Sequence, residues 1–352
     1  MMLLKLGYRN LWRNRRRTVL TMIAIGIATT MVILMLGIYD GMFWDMIESA
    51  TELYHGHVKI TAKKYLDEHK MYMTLPEDEL REKILADSRV RGVAGRVRGF
   101  ALLSFGEGES GHTQPAELFG IDPGEERTVT RLEAHVREGS FISGADSKDI
   151  LLGTGLAKRL EARVGGEVVA MGQGSDGSIA AEIFHVSGIV DTGDPIRDVS
   201  LAVVGRKTLQ SMLVLDGRIH EWAISLKRPI AAETWAREIR PGIPDADVTS
   251  WYGFLPQMKQ ILDYWYAARY IFALIFYFAV VLVAVNTMYM MFFERLREFG
   301  IMGALGLRIR KLSLLILIEG FLISSIAGIA GGIAGSLISL YMYGHPVDLS
   351  MF

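Results

Sequence analysis

The chain has 352 residues; half of them are apolar, 22% are charged, and 38 Lys+Arg stand against 39 Asp+Glu. The average conceals a split. Residues 1–39 hold six bases (Lys5, Arg9, Arg13, Arg15, Arg16 and Arg17) and no acid, residues 40–268 hold 26 bases and 35 acids, and the chain after Arg269 is mostly apolar again. This distribution excludes a uniformly soluble protein, and the 229 residues of the middle, too polar as a stretch to sit in lipid, exclude a bundle of ten spans. The acidic middle argues against nucleic acid as a partner. With no cysteine there is no disulfide, thiolate metal site or cysteine nucleophile.

Residues 1–17 read as a cytoplasmic amphipathic helix. Leu3, Leu6, Leu11 and Trp12 dip into the headgroup boundary while the arginines meet anionic lipid. Residues 18–39 are 22 without a charge, about 33 Å as a helix, enough to cross a ~30 Å hydrocarbon core. The run is longer than the ~7–15 residues of a signal-peptide core, so it reads as an uncleaved anchor and first span.

Residues 40–269 read as an extracytoplasmic α+β domain. "GHVKITA" (56–62), "VAGRVRGFALLSF" (93–105), "PAELFGID" (115–122), "EWAISL" (221–226) and "DADVTSW" (245–251) have strand character. "PEDELREKILAD" (76–87) opens on Pro and acids and reads as a helix. Between Gly139 and Gly205 come short runs broken by Gly and Asp, "ILLG", "EVVAM", "AEIFHVSGIV" and "LAVV". They predict a β module inserted at about 139–205.

A second span covers residues 270–293, 24 uncharged residues. The loop 294–311 follows, and a third span at 312–343 leaves a tail at 344–352. Arg295, Arg297, Arg308, Arg310 and Lys311 in the loop, with the basic N-terminus, place both segments in the cytoplasm. The domain and the tail are then outside. Glu319 lies one or two turns into the third span, where an ionised group costs roughly 2.5–3.5 kcal/mol if central. It predicts a polar partner or a wet, protein-facing position, the alternative being a carboxylate that reaches back to the headgroups. Gly328/Gly332 and Gly331/Gly335 are spaced to let another helix approach closely.

Several motifs have ordinary explanations. "GQGSDG" (172–177) matches G-x-G-x-x-G, but strands on both sides make it a hairpin turn rather than a dinucleotide loop. "GTGLAKRL" (153–160) lacks the spacing and the Lys-Ser/Thr of a phosphate loop. His55 and His57 share one side of a strand and could hold a metal, but no third ligand is near, which favours a structural role. There is no enzyme signature.

The loop is the most informative segment. "ERLREFGIMGALGLRIRK" (294–311) has charged ends and an apolar middle of Ile301, Met302, Ala304 and Leu305. A mere linker would not need that middle; a short helix seated in a partner's groove would. The pattern E-R-x-x-E-x-G-x-x-x-A-L-G, an acid early in the next span and a Gly-rich stretch beyond it resemble the permeases of the MacB/FtsX/LolC-LolE superfamily of ABC transporters. "RNLWRNRRRTVLTMIAIGIA" (9–28), "GHVKI" (56–60) and "ILLGTGLAKRLEARVGGEVV" (150–169) with "FHVSGIVDTG" (184–193) are similar to the lipoprotein-release branch.

The resemblance implies an inner-membrane protein of four spans, of which three are visible here, with a porter-like outer domain. It implies pairing with a second permease copy or paralogue and a separate cytoplasmic ATPase subunit that holds ATP and Mg, leaving this chain without a cofactor and without catalysis of its own. Glu294, Arg295, Glu298, Gly300, Ala304, Leu305 and Gly306 match the coupling motif, with Glu294, Arg295 and Glu298 at the rim of the ATPase groove. For lipoprotein cargo, wetting roughly 40 CH₂ groups would cost ~30 kcal/mol, so acyl chains must pass from lipid to an apolar protein surface. Met31, Met35, Met42, Phe43 and Met46 on the first span, with Tyr264, Trp265, Tyr270 and Phe272 on the second, are candidates for it, and ordinary helix packing explains them equally well. A periplasmic carrier or adaptor is a further expected partner. Two other readings stay open: MacB-like efflux of small molecules or peptides, and FtsX-like signalling to a cell-wall hydrolase.

Overall fold

The computed structural model describes residues 15–77, 80–106, 111–304 and 309–345. The amphipathic N-terminal segment, Leu305, Gly306 and most of the tail lie outside the described residues. The chain forms two compact units, one of residues 1–44 with 261–352 and the other of residues 45–260.

The first unit is helical. Helix α1 (Arg15–Glu52) runs from its basic start through the apolar segment and ends in the second unit. Helix α2 is Pro256–Glu294, α3 is Leu296–Ala304 and α4 is Ile309–Gly344. Three stretches, Thr18–Glu52, Pro256–Glu294 and Ser313–Gly344, are long and apolar enough to cross a membrane. They meet around Ile25, Ile323 and Ala327, with Met22, Val280, Ala284 and Leu322 packed alongside.

Glycine sets how closely α1 and α4 approach. A Cβ on Gly331 would lie 2.4 Å from the Gly26 carbonyl oxygen, and one on Gly335 would lie 3.0 Å from Ile33 Cβ. Thr30 Oγ1 donates across the same contact to the Gly331 carbonyl at 3.0 Å. The other pair differs: Gly328 has nothing within 4 Å, and Gly332 meets only Ile33 Cδ1 at 4.0 Å. The small-residue pattern thus splits into a face used within this chain and a face left open by it.

The second unit is α+β. Strands β1 (Val58–Ala62), β2 (Leu75–Pro76), β3 (Val90–Phe105), β4 (His112–Ile121), β5 (Val136–Gly139) and β6 (Asp149–Gly153) come first. Then follow β7 (Glu167–Gln173), β8 (Ile179–Val190), β9 (Leu201–Gly205), β10 (Arg218–Ile219), β11 (Glu221–Leu226) and β12 (Ala246–Ser250). β12, β1, β11 and the first half of β3 form an antiparallel sheet. From Val97 onward β3 changes neighbours, pairing with β4 on one edge and β7 on the other. Because β4 pairs β9, β9 pairs β6, β6 pairs β8 and β8 pairs β7, the ladder closes into a six-stranded barrel. Segment 139–205 supplies four barrel strands, and the other two are β3 and β4. Tyr54, Phe119, Ile121, Leu132, Leu151, Leu201 and Val203 are buried together, and Trp222, Trp235 and Trp251 are fully enclosed elsewhere in the unit.

Local chemistry matches these boundaries. Asp122 caps the helix Pro123–Val129, its carboxylate accepting from Gly124 and Glu125 N–H, and proline opens the first turn. Gly139 adopts φ +76 at the end of β5, where a Cβ would strike the Ser187 carbonyl at 2.2 Å. "GQGSDG" forms the β7–β8 hairpin turn, with Gly177 at φ +84. The helix expected from Pro76 is shorter, spanning Arg81–Leu85. Pro76 instead pairs in β2 with Arg218 of β10, and proline tolerates such an edge position.

Candidate functional site

The joint between α2, α3 and α4 is built on Arg295. Its Nη1 donates to both oxygens of Glu319, at 2.8 and 3.2 Å, and its Nε donates to Glu298 Oε2 at 3.2 Å. The guanidinium sits 5.3 Å from the Phe299 ring centre, and Phe299 stacks on Phe292 of α2 at 5.7 Å. Glu319 is buried on α4 at 5% exposure. A guanidinium fork suits this place because it satisfies two carboxylates and lies on an aromatic face at once.

The side chain of Arg295, which the motif places at the rim of an ATPase groove, is 17% exposed in this chain. A carboxylate enclosed near the end of an apolar helix draws the cation inward. Glu294, Gly300 and Ala304 are exposed, Glu298 is half-buried, and Phe299 turns inward. Ile301 is 57% exposed, so α3 holds one face against the unit and presents an apolar edge outward.

The candidate cargo residues separate. Tyr39, which sequence reasoning passed over, packs on Trp265 at 5.1 Å and Phe272 at 5.6 Å, and Phe43 lies 6.2 Å from Trp265. Met35 lines the same seam, and Asp40 accepts from Arg269 Nη1 at 3.1 Å beside it. Met31, Met42, Tyr264 and Tyr270 remain exposed, and Met46 falls on the part of α1 that belongs to the second unit. Two gaps along this seam, among the described residues, measure about 10 and 20 Å³, the size of a water rather than of an acyl chain.

Charged side chains that the sequence reading did not single out lie inside the second unit. Glu221 is fully buried and accepts from three cations. Its Oε1 takes Arg96 Nη1 and Arg98 Nη2, each at 3.2 Å, and its Oε2 takes Lys59 Nζ at 3.1 Å. Arg96 also makes a bidentate pair with Glu126 at 3.1 and 2.6 Å, and Arg98 reaches Glu117. Burial alone would raise the Glu221 carboxyl, but Arg98, Lys59 and Arg96 outweigh it and hold the group well below the usual carboxylate range. Burial outweighs Glu221 at Lys59 and pushes its ammonium down to about 8.

His57 is buried in the same unit. Its Nδ1 accepts the Leu226 N–H at 2.8 Å, and burial, then Arg91, pushes the ring down to about 4. His55 Nε2 lies 3.2 Å from Arg197 Nη2. No cluster of three or more His, Asp or Glu placed to hold a metal occurs among the described residues.

The family model of the MacB-like periplasmic core domain matches residues 18–241, and that of the FtsX-like permease C-terminal region matches residues 270–352. The first alone covers more than half of the sequence, and the chain belongs to the MacB/FtsX/LolC family of ABC transporter permeases. Among curated relatives, the lipoprotein-releasing system transmembrane protein LolC of Xylella fastidiosa strain Temecula1 is 30% identical over 176 residues. That match covers 44% of this chain and 41% of the relative, and LolC of strain 9a5c gives the same figures. The chain therefore aligns with less than half the length of these relatives. Two solved structures show a weak similarity to this chain. The periplasmic region of MacB from Actinobacillus actinomycetemcomitans has TM-score 0.41 and 14% identity, over 59% of this chain and 92% of that one. The extracellular domain of the noncanonic ABC-type transporter YknZ from Gram-positive bacteria has TM-score 0.39 and 13% identity, over 55% and 99%.

Proposed function

We propose that this chain is the permease subunit of an ABC transporter and that it serves the release of lipoproteins from the inner membrane. In this reading the three apolar helices span the bilayer, the second unit stands outside, and the joint at Arg295 faces the cytoplasm. A separate ATPase subunit binds and hydrolyses ATP. The exposed edge of α3 at Ile301 and Ala304 seats in a groove of that subunit, and closure of the ATPases moves α3.

The observation that carries the reading is the joint itself. Arg295 binds α3 to Glu319 on α4 while Phe299 stacks on Phe292 of α2, so a push on α3 is delivered to two long helices together. The LolC relatives favour the lipoprotein branch. Because the seam between α1 and α2 is filled by Tyr39, Phe43, Trp265 and Phe272, an acyl chain is received on an outer helix face rather than between these two helices. A reporter fused after Gly177 tests the orientation: extracytoplasmic activity is expected, and cytoplasmic activity there overturns the reading.

A further inference from the structure

The second unit holds an open cavity of about 720 Å³, within the range of small-molecule sites. Its inner wall carries Lys59, His55, Arg98 and Arg197, and Phe254 and Ile196 add apolar surface. None of these groups belongs to the coupling joint.

The hydrogen-bond balance around this wall is one-sided. The carboxylates are already supplied with donors: Glu221 by Lys59, Arg96 and Arg98, Glu117 by Arg98, Asp194 by the Ile196 and Arg197 N–H groups, and Asp247 by the Lys64 N–H. Asp67 stands exposed at the rim. The donors are not used up. Lys59 makes one hydrogen bond, to Glu221, although an ammonium has three N–H groups. Arg197 meets His55 Nε2 at 3.2 Å and Asp194 only at 3.9 Å, with its guanidinium lying 3.8 Å from the Tyr54 ring centre.

An arginine only donates, so His55 Nε2 is the acceptor and the ring proton sits on Nδ1. That atom is buried and finds no acceptor among the described residues. Burial, then the positive charge of Lys59, Arg197 and Arg98, holds His55 well below its ordinary value, so the ring at this wall is neutral.

Beside the donors lies apolar surface. The Phe254 ring is 5.6 Å from His55 and 5.0 Å from Lys59 Nζ. Ile196, next to Arg197 on the short helix Pro195–Asp198, is 83% exposed.

We propose that this cavity binds a small organic anion, a carboxylate or phosphate joined to an apolar or aromatic body. The charged head meets Arg197 and Lys59, and the body lies against Phe254 and Ile196. The head is an acceptor because the wall offers unspent donors. The body is apolar because a fully hydrated inorganic ion would leave the exposed Ile196 without a contact.

The test uses the full chain in nanodiscs of zwitterionic lipid, titrated calorimetrically with four probes: 3-phenylpropionate, phenyl phosphate, 3-phenylpropan-1-ol and 2-phenylethylammonium. Saturable binding of either anion, with the alcohol and the cation much weaker, is the expected result, and the stronger anion identifies the headgroup. Arg197→Gln should weaken the anion by about tenfold or more. It is the suitable variant because Arg197 lies on a short four-residue helix and is part-exposed, and an unchanged far-ultraviolet circular dichroism spectrum checks that the fold survives. Lys59→Met, checked for an unchanged far-ultraviolet circular dichroism spectrum, should weaken it similarly. No binding of either anion, equal binding of the cation, or an unchanged affinity in Arg197→Gln would overturn the proposal.

Discussion

Arg295 and Glu319, 24 positions apart in sequence, form an ion pair, with one guanidinium nitrogen donating to both carboxylate oxygens, that ties the turn between α2 and α3 to the interior of α4. Glu319→Gln keeps the shape and removes the charge. Activity should fall, while membrane insertion improves slightly because no charge is buried. Arg295→Glu places two acids together and removes a guanidinium from both oxygens of a buried carboxylate, a change of a few kcal/mol, at the low end of the ~3–5 kcal/mol for fully buried pairs. The double variant Arg295→Glu/Glu319→Arg should recover part of the lost transport. Equal transport in wild type and Arg295→Glu would leave the pair without a coupling role.

The glycine contacts give a paired test of helix packing. Gly331→Ala forces a Cβ to within 2.4 Å of the Gly26 carbonyl, so α1 must move and the unit should lose about 1–3 kcal/mol. Gly328→Ala, with open space beside it, should be near neutral. Thermal unfolding of the two variants in detergent decides this. Equal midpoints would mean that α1 and α4 do not meet at Gly331.

Acid sensitivity should trace to the buried histidines of the second unit. His57 is held neutral down to about pH 4, whereas an unfolded chain protonates it near 6.5. The folded value is depressed, so the unfolded state binds the extra proton in that window. The stability is present above about pH 6.5 and is lost as pH falls towards 4, by at most about 1.4 kcal/mol per unit. His55 acts in the same direction. His57→Gln should therefore flatten, but not abolish, the decline of unfolding temperature between pH 6.5 and 4. An unaltered slope would remove His57 as a cause.

Most strands were legible as short apolar or alternating runs, several of them broken by Gly or Asp. "EWAISL" and "LAVV" correspond to β11 and β9 within a residue. What could not be read was pairing. β3 is one continuous run in sequence, yet it serves two sheets, and nothing local marks the change at Val97. The buried charges escaped for a related reason. Lys59, Arg96, Arg98 and Glu221 look like outward residues on half-buried strands, and only the register that sets Glu221 opposite Arg96 encloses them. In the first unit the apolar runs and the motif around Arg295 were plain, but the partner of Glu319 was not. An arginine assigned to a rim gives no sign in sequence that a carboxylate 24 residues away will draw it in.

The proposed docking rests on the exposed edge of α3 at Ile301. The direct measurement is ATP-dependent release of a lipid-anchored lipoprotein from proteoliposomes holding this chain, its paired permease and the ATPase, compared with Ile301→Asp. A charge at this edge should cost about 2–5 kcal/mol of docking, roughly 30- to several-thousand-fold. Ile301→Asp should insert normally, fail to copurify the ATPase and release nothing, whereas wild type releases lipoprotein only with ATP. A stoichiometric ATPase retained by Ile301→Asp together with undiminished release would contradict the account.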